Sequence, residues 1–420
     1  MSEKVKGIVE MLSKMKKMFV ALVAVAALAV PQLSAQQQVA AKYVDQDGFI
    51  LTVKDGGYII RWLEDIYNAG TVKLVADPQF SIADKIIREI WTESNISQIG
   101  TTAVSGKQVG PDFYSVKSFV EMPESKRTGS LWKISQRVQA LDFLNIMPKN
   151  TIAAFGVDLD GAELLAMLNR YINKFGTQQV KNDYNRFLAQ GRQAGVDVAA
   201  IANSIQGAAL CVEADPARLI VPGYSSATLY VSVKDRTLMN TLVQNAKAKN
   251  PEIVTANNEL MIPTPYGMVT VFQQGNYIVA TTDFAGTKNL LAGKSPSLKQ
   301  NPDFIKYSAG TPAAGDAFIF FSSEIGKSVI PAYLPFVPAE ITQKVDIQKL
   351  CNAIGVGPAL YAVSYANRDG VGSICNTGSK GAAILTADPA MGSAALNYLS
   401  SLLIVGLHKQ GTVCDFPGVE

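Results

Sequence analysis

A single histidine stands in the 420 residues. That count excludes a His-rich metal site and an HExxH metalloprotease. A Ser-His-Asp triad would have to recruit His408, which ends the apolar, helix-like run Ala394–Leu407, a place where a basic side chain simply suits the helix dipole. Cysteine is also scarce, with four residues and no CxxC or Cys/His spacing for zinc. Charged residues make up 17% of the chain, and hydrophobic ones 48%, too many for a disordered chain. Gly 33 and Pro 19 follow no short period, so a collagen-like fibre is excluded. No GxSxG elbow occurs. The segment Gly286–Ser295 superficially resembles a phosphate loop, but six residues separate its glycines where that loop has four. It reads instead as a short helix ending in a glycine cap.

Residues 1–35 have the order of an export signal. Lys14, Lys16 and Lys17 precede the apolar run Phe19–Val30, Pro31 breaks it, and Leu33-Ser34-Ala35 offers a small residue before Gln36. The run is shorter than the ~20 residues that span a bilayer. A start at Met15 would give a more compact leader. The expectation is therefore an exported chain, periplasmic or at the cell surface, with no integral membrane segment once the leader is removed. Residues 1–35 hold five Lys against Glu3 and Glu10, which accounts for the formal charge of +3. The remainder is balanced, so nothing in its global charge favours nucleic acid.

The rest of the chain repeats a pattern. A β-rich run followed by a helix-like segment occurs at Phe49–Ile66, Ile152–Ile172 and Ala317–Leu334. Each is followed by an Asn- and Gly-containing helix end, at Asn95–Gly100, Asn203–Gly207 and Asn352–Gly357, and then by strand and hairpin material, including Phe113–Glu121 and Met268–Phe272 with Tyr277–Thr281 around Gln274-Gly275-Asn276. Three α+β units are expected, over 36–148, 149–300 and 301–420. Each reads strand, helix, helix, antiparallel strands. The middle unit carries an extra strand–helix piece, Ala227–Ala246. The sheets should be mostly antiparallel, with one helical layer over one face.

The stretch Asn276–Ser322, with its segment Ser297–Phe304 (SLKQNPDF), and the stretch Tyr114–Ile134 resemble runs in uncharacterised exported bacterial proteins grouped as a domain of unknown function. The resemblance implies a secreted or periplasmic protein and carries over no catalytic residue and no cofactor.

Acidic turns are the remaining local signal. Asp45-Gln-Asp47-Gly48 and Asp158-Leu-Asp160-Gly161 share DxDG, and Glu163 follows the second. Asp158, Asp160 and Glu163 could offer oxygens to calcium, although Asp and Gly are also what a strand-to-helix turn and an N-cap require. An even cysteine count in an exported chain permits two disulfides. Cys375–Cys414 is the preferred pair because both lie in polar, turn-rich surroundings, whereas Cys211 sits in an apolar run. Trp62, Trp91 and Trp132 lie among apolar residues and read as core.

The leading expectation is a non-enzymatic binding or scaffold module. Its partner would be a protein or a small-molecule or glycan ligand, taken at sheet edges or clefts. A carboxylate-dependent hydrolase using Asp158 or Glu324, and an envelope assembly subunit, are the alternatives.

Overall fold

A computed structural model describes residues 38–71, 78–135, 139–214, 226–265, 267–336, 339–343 and 357–387, with scattered positions between 346 and 351. The expected leader, His408 and Cys414 lie outside the described residues. So does the side chain of Trp62.

Twelve strands form one sheet, and every pairing between them is antiparallel. They are β1 (Ile50–Asp55), β2 (Thr101–Gly110), β3 (Phe113–Glu121), β4 (Thr151–Asp158), β5 (Ile205–Glu213), β6 (Ser226–Val233), β7 (Leu260–Thr264), β8 (Gly267–Gln274), β9 (Tyr277–Thr281), β10 (Ala317–Phe321), β11 (Leu360–Ala366) and β12 (Gly370–Thr377). Their order is β1-β2-β3-β12-β11-β10-β4-β5-β6-β9-β8-β7. Each expected unit thus contributes a run of three adjacent strands: β1 to β3, β4 to β6, and β10 to β12. The third run is inserted between the other two, and β9-β8-β7 extends the sheet beyond β6. The fold is α+β, and the three stretches share one sheet.

The longer helices are α1 (Gly56–Thr71), α2 (Pro78–Glu93), α3 (Gly161–Phe175), α4 (Gln178–Gln193), α5 (Val198–Ser204), α6 (Thr237–Lys249), α7 (Phe284–Leu291), α8 (Pro302–Tyr307) and α9 (Lys380–Ala387). Local chemistry explains where many begin. Asp160, Thr177, Asp197, Asp283 and Asn301 each accept backbone N–H groups from the first turn of the helix that follows. Pro302 then occupies the first turn of α8, where its missing N–H costs nothing. Turn chemistry sets the hairpins in the same way. The Asn367 side chain accepts from the N–H groups of Asp369 and Gly370 between β11 and β12. Gly275 takes a φ of 57° between β8 and β9.

The main core lies on one face of the sheet, here the closed face. Phe318, Phe320, Tyr361 and Tyr230 project from it and are covered by the turn Ala140–Asn145 and by α8, through Phe143, Leu144, Phe304 and Tyr307. Gly156 opposes Phe318 in the register, and a Cβ there would stand 2.2 Å from the phenyl ring. Only glycine leaves that ring room.

Helices also pack on the opposite face, contrary to the expected single helical layer. Ala383 of α9 covers Val116 and Cys375, and Met239 and Val243 of α6 cover Val231, Val271 and Ile278. The reason is compositional. The strands carry apolar residues at both parities, so both faces seek cover. A polar clamp joins the first two stretches. Glu93 at the end of α2 accepts hydrogen bonds from the Tyr171 hydroxyl (2.6 Å) and the Arg170 guanidinium (3.1 Å) of α3.

Candidate functional site

Among the described residues, the second face is covered at its two ends and open in the middle. Side chains directly opposite one another on antiparallel strands share a face. The register therefore traces one row: Val116, Cys375, Ala362, Ile319, Phe155, Leu210, Leu229, Ala280 and Val271. Val116 and Cys375 lie under α9, and Val271 lies against α6. Between them, Ile319, Phe155, Leu210 and Leu229, with Phe321 two residues along β10, are 39% to 47% exposed. Their strand neighbours are the reverse: Phe318, Phe320, Ala154, Ala209 and Tyr230 are at most 4% exposed. The same four strands therefore have one closed face and one open face.

Five large apolar side chains on four adjacent strands make a contiguous patch. Such a patch is unusual on a monomer surface and marks an interaction site. At about 25 cal/mol per Å² of apolar surface, covering it would stabilise the covered state by several kcal/mol. The sheet's free edges offer less. Among the described residues they are β1 and β7; Leu260 at the start of β7 already bridges Val254, and Pro263 within β7 has no N–H to give an incoming strand.

Two cavities lie elsewhere. One of about 420 Å³ lies beside α6 and is lined by Arg236, Asn240, Lys247, Asn258 and Gln273 among others. Lys247 donates to Asn258 (2.8 Å), while Lys288, also in its wall, pairs with Glu259 (2.6 Å) and sits over the Phe284 ring. The other, about 460 Å³, has Glu213, Asp283 and Asn301 in its wall. All three already serve the fold. Glu213 accepts from Ser226, Asp283 caps α7, and Asn301 caps α8.

The residues singled out from sequence are placed as follows. Asp158 is buried at the end of β4, where it accepts the Gln139 N–H (2.5 Å). Asp160 caps α3 by accepting from Ala162 and Glu163 (3.0 and 3.2 Å), and Glu163 lies in the first turn of that helix. Asp45 and Asp47 form ion pairs with Lys117 and Lys107. Among the described residues, no group of three or more His, Cys, Asp or Glu is gathered as a metal site. Glu324 is paired with Lys327 (3.0 Å) just beyond β10. Asp158 adjoins Asp316, before β10, and Ser322 adjoins Ile152, near the start of β4. Asp158 and Glu324 thus stand at opposite ends of a strand pair, roughly 20 Å apart at ~3.4 Å per residue. A glycosidase pair needs ~5–10 Å.

Cys211, Cys351 and Cys375 are free thiols. The Cys375 side of the expected Cys375–Cys414 pair is buried under α9, while Cys414 is among the residues not described. Gly293, with a φ of 70°, ends α7, as expected from a capped short helix. Trp132 donates its indole N–H to the Ser94 carbonyl (2.7 Å), and Trp91 is half-buried.

Two features were passed over in the sequence. Ser130-Leu-Trp-Lys133 has the spacing of a serine–lysine dyad. Its serine hydroxyl, however, accepts from Arg170, and Lys133 is exposed. The open face is the more consequential one. Its signal was present in β4 (TIAAFGVD), β5, β6 and β10 (AFIFF), whose apolar residues occupy both parities. That pattern means a second apolar face without saying whether it is covered. No family model matches this chain, and no curated protein or solved structure matches it.

Proposed function

We propose that this chain is an exported, non-enzymatic binding module, and that the open face of β10-β4-β5-β6 receives the apolar side of a partner. The row Ile319, Phe155, Leu210, Leu229 carries the reading, because four adjacent strands hold large apolar side chains toward solvent. The leader-like residues 1–35 and the resemblance to exported bacterial proteins support export. The face is apolar and free of charged side chains along its central row, which suits the apolar stripe of an amphipathic helix. The capped or paired acids at the turns support a binding role over hydrolysis.

The test is a titration of the full chain with the apolar dye 8-anilinonaphthalene-1-sulfonate, beside Leu210→Asp. The expected result is dye binding by the full chain and a loss of roughly tenfold in affinity in the variant, matching the ~1.4 kcal/mol that a factor of ten represents. Equal binding by both proteins would contradict the reading.

A further inference from the structure

We propose that the cavity between α6 and the end of β8 is a second binding site, and that it takes an acidic oligosaccharide of a few sugar rings. This site is independent of the open face.

The cavity is a gap at the sheet edge. β7 pairs with β8 from Thr264 opposite Gly267 to Leu260 opposite Val271. The last three residues of β8, Phe272, Gln273 and Gln274, therefore have no β7 residue beside them. α6 and the turn before β7 wall the opening instead. Its volume of about 420 Å³ lies within the range of small-ligand sites.

Three observations give the chemistry of the ligand. The first is charge. Arg236, Lys247 and Lys288 stand in the wall against one carboxylate, Glu259, and Lys288 already holds that carboxylate at 2.6 Å. Among the described residues Arg236 and Lys247 have no acidic partner, so the wall carries two uncompensated cations. An anionic ligand offsets them.

The second is spacing. Arg236 stands at the N-cap of α6, and Asn240, Gln244 and Lys247 follow it at i+4, i+8 and i+11 on one side of the helix. Arg236 and Lys247 are thus roughly 16 Å apart along the axis at ~1.5 Å per residue. A compact anion would have to draw both side chains inward over Asn240 and Gln244. A chain of sugars with a carboxylate on each ring meets them where they stand.

The third is the lining between the cations. Asn240 and Gln244 are exposed amides with no side-chain hydrogen bond among the described residues, and each offers a donor and an acceptor to a sugar hydroxyl. On the β8 side, the Gln273 Nε2 donates to the carbonyls of Asp235 (3.2 Å) and Gly275 (3.1 Å), which fixes the amide. Its Oε1 is left buried without a donor. A ligand hydroxyl supplies the donor that such an oxygen lacks.

Isothermal titration calorimetry of the full chain tests the site with three probes: trigalacturonate, its methyl-esterified form and inorganic phosphate. Trigalacturonate should bind, and masking its carboxylates as esters should weaken it about tenfold. Arg236→Gln and Lys247→Gln should each weaken trigalacturonate roughly two- to fivefold, the scale of an exposed ion pair, and leave the affinity of the ester unchanged. Asn240→Ala should weaken acid and ester alike. All three side chains are exposed, so the variants should melt with the parent. No heat of binding for trigalacturonate overturns the proposal. So does phosphate that binds as tightly, or an Arg236→Gln protein with the parent's affinity. Leu210→Asp separates this site from the open face: trigalacturonate affinity should survive it while dye binding falls, and a loss of both overturns a separate site.

Discussion

Cys375 stands on β12 beneath Ala383, and burial pushes its thiol up to about 12. A thiol so disposed is a poor nucleophile at neutral pH. Cys211 is wholly buried and its thiol is raised further by burial and by nearby Glu213, whereas Cys351 is half-buried. Iodoacetamide labelling read by mass should therefore modify Cys351 first among these three, and Cys211 and Cys375 only on unfolding. Recovery of Cys375 in a disulfide with Cys414 would contradict the free thiol. Glu93 makes a second prediction at this scale. Burial opposes its charge, but hydrogen bonds from Tyr171 and Ser130 and the Arg170 guanidinium hold its carboxyl below the ordinary 4.5. A lowered carboxyl contributes stability at neutral pH that is lost as pH falls through it. Glu93→Gln should cost about 1–2 kcal/mol near pH 7, the scale of a charged hydrogen bond, and the gap to the parent should close on acidification toward pH ~3. Melting curves across pH check it, and a gap that widens in acid would be the wrong sign.

Among elements, α3 separates two meanings of one motif. Asp160 is an N-cap by geometry, so Asp160→Ala should lower stability by about 1 kcal/mol. Calcium or EDTA should leave the melting temperature of the parent unmoved, and a calcium-dependent rise would return the turn to a metal role. Elements of this kind were legible in the chain. The run Phe113–Glu121 reads as a strand and is β3, and Met268–Phe272 and Tyr277–Thr281 read as a hairpin and form β8 and β9. Asp, Asn and Gly mark helix starts and turns because they act on their own neighbours. What was not legible depends on partners far along the chain. Nothing local in AFIFF says that Phe318 and Phe320 will be covered by Phe143 and Phe304 while Ile319 and Phe321 are left outside.

At the scale of the whole molecule, topology makes the difference between the faces. The third stretch enters the sheet between the first two, pairing β12 with β3 and β10 with β4. This brings α9 to one end of the open face, with α6 at the other, and between them Ile319, Phe155, Leu210 and Leu229 of β10, β4, β5 and β6 are 39% to 47% exposed. Individual strands and hairpins follow from sequence pattern, but the number of strands in one sheet and the order of the stretches do not, because edge-to-edge pairing of distant strands is set by the completed core. Adjacent residues on β4 therefore have opposite jobs. Phe155 faces the open side and Gly156 makes room for Phe318 on the closed side. The most direct measurement is dye affinity and melting temperature, side by side, for Phe155→Thr and Gly156→Ala. Phe155→Thr should weaken dye binding severalfold with little change in melting temperature. Gly156→Ala should keep dye binding and lose roughly 1–3 kcal/mol of stability to overpacking against the ring. A Phe155→Thr protein that melts early yet still binds dye would contradict an open binding face on this sheet.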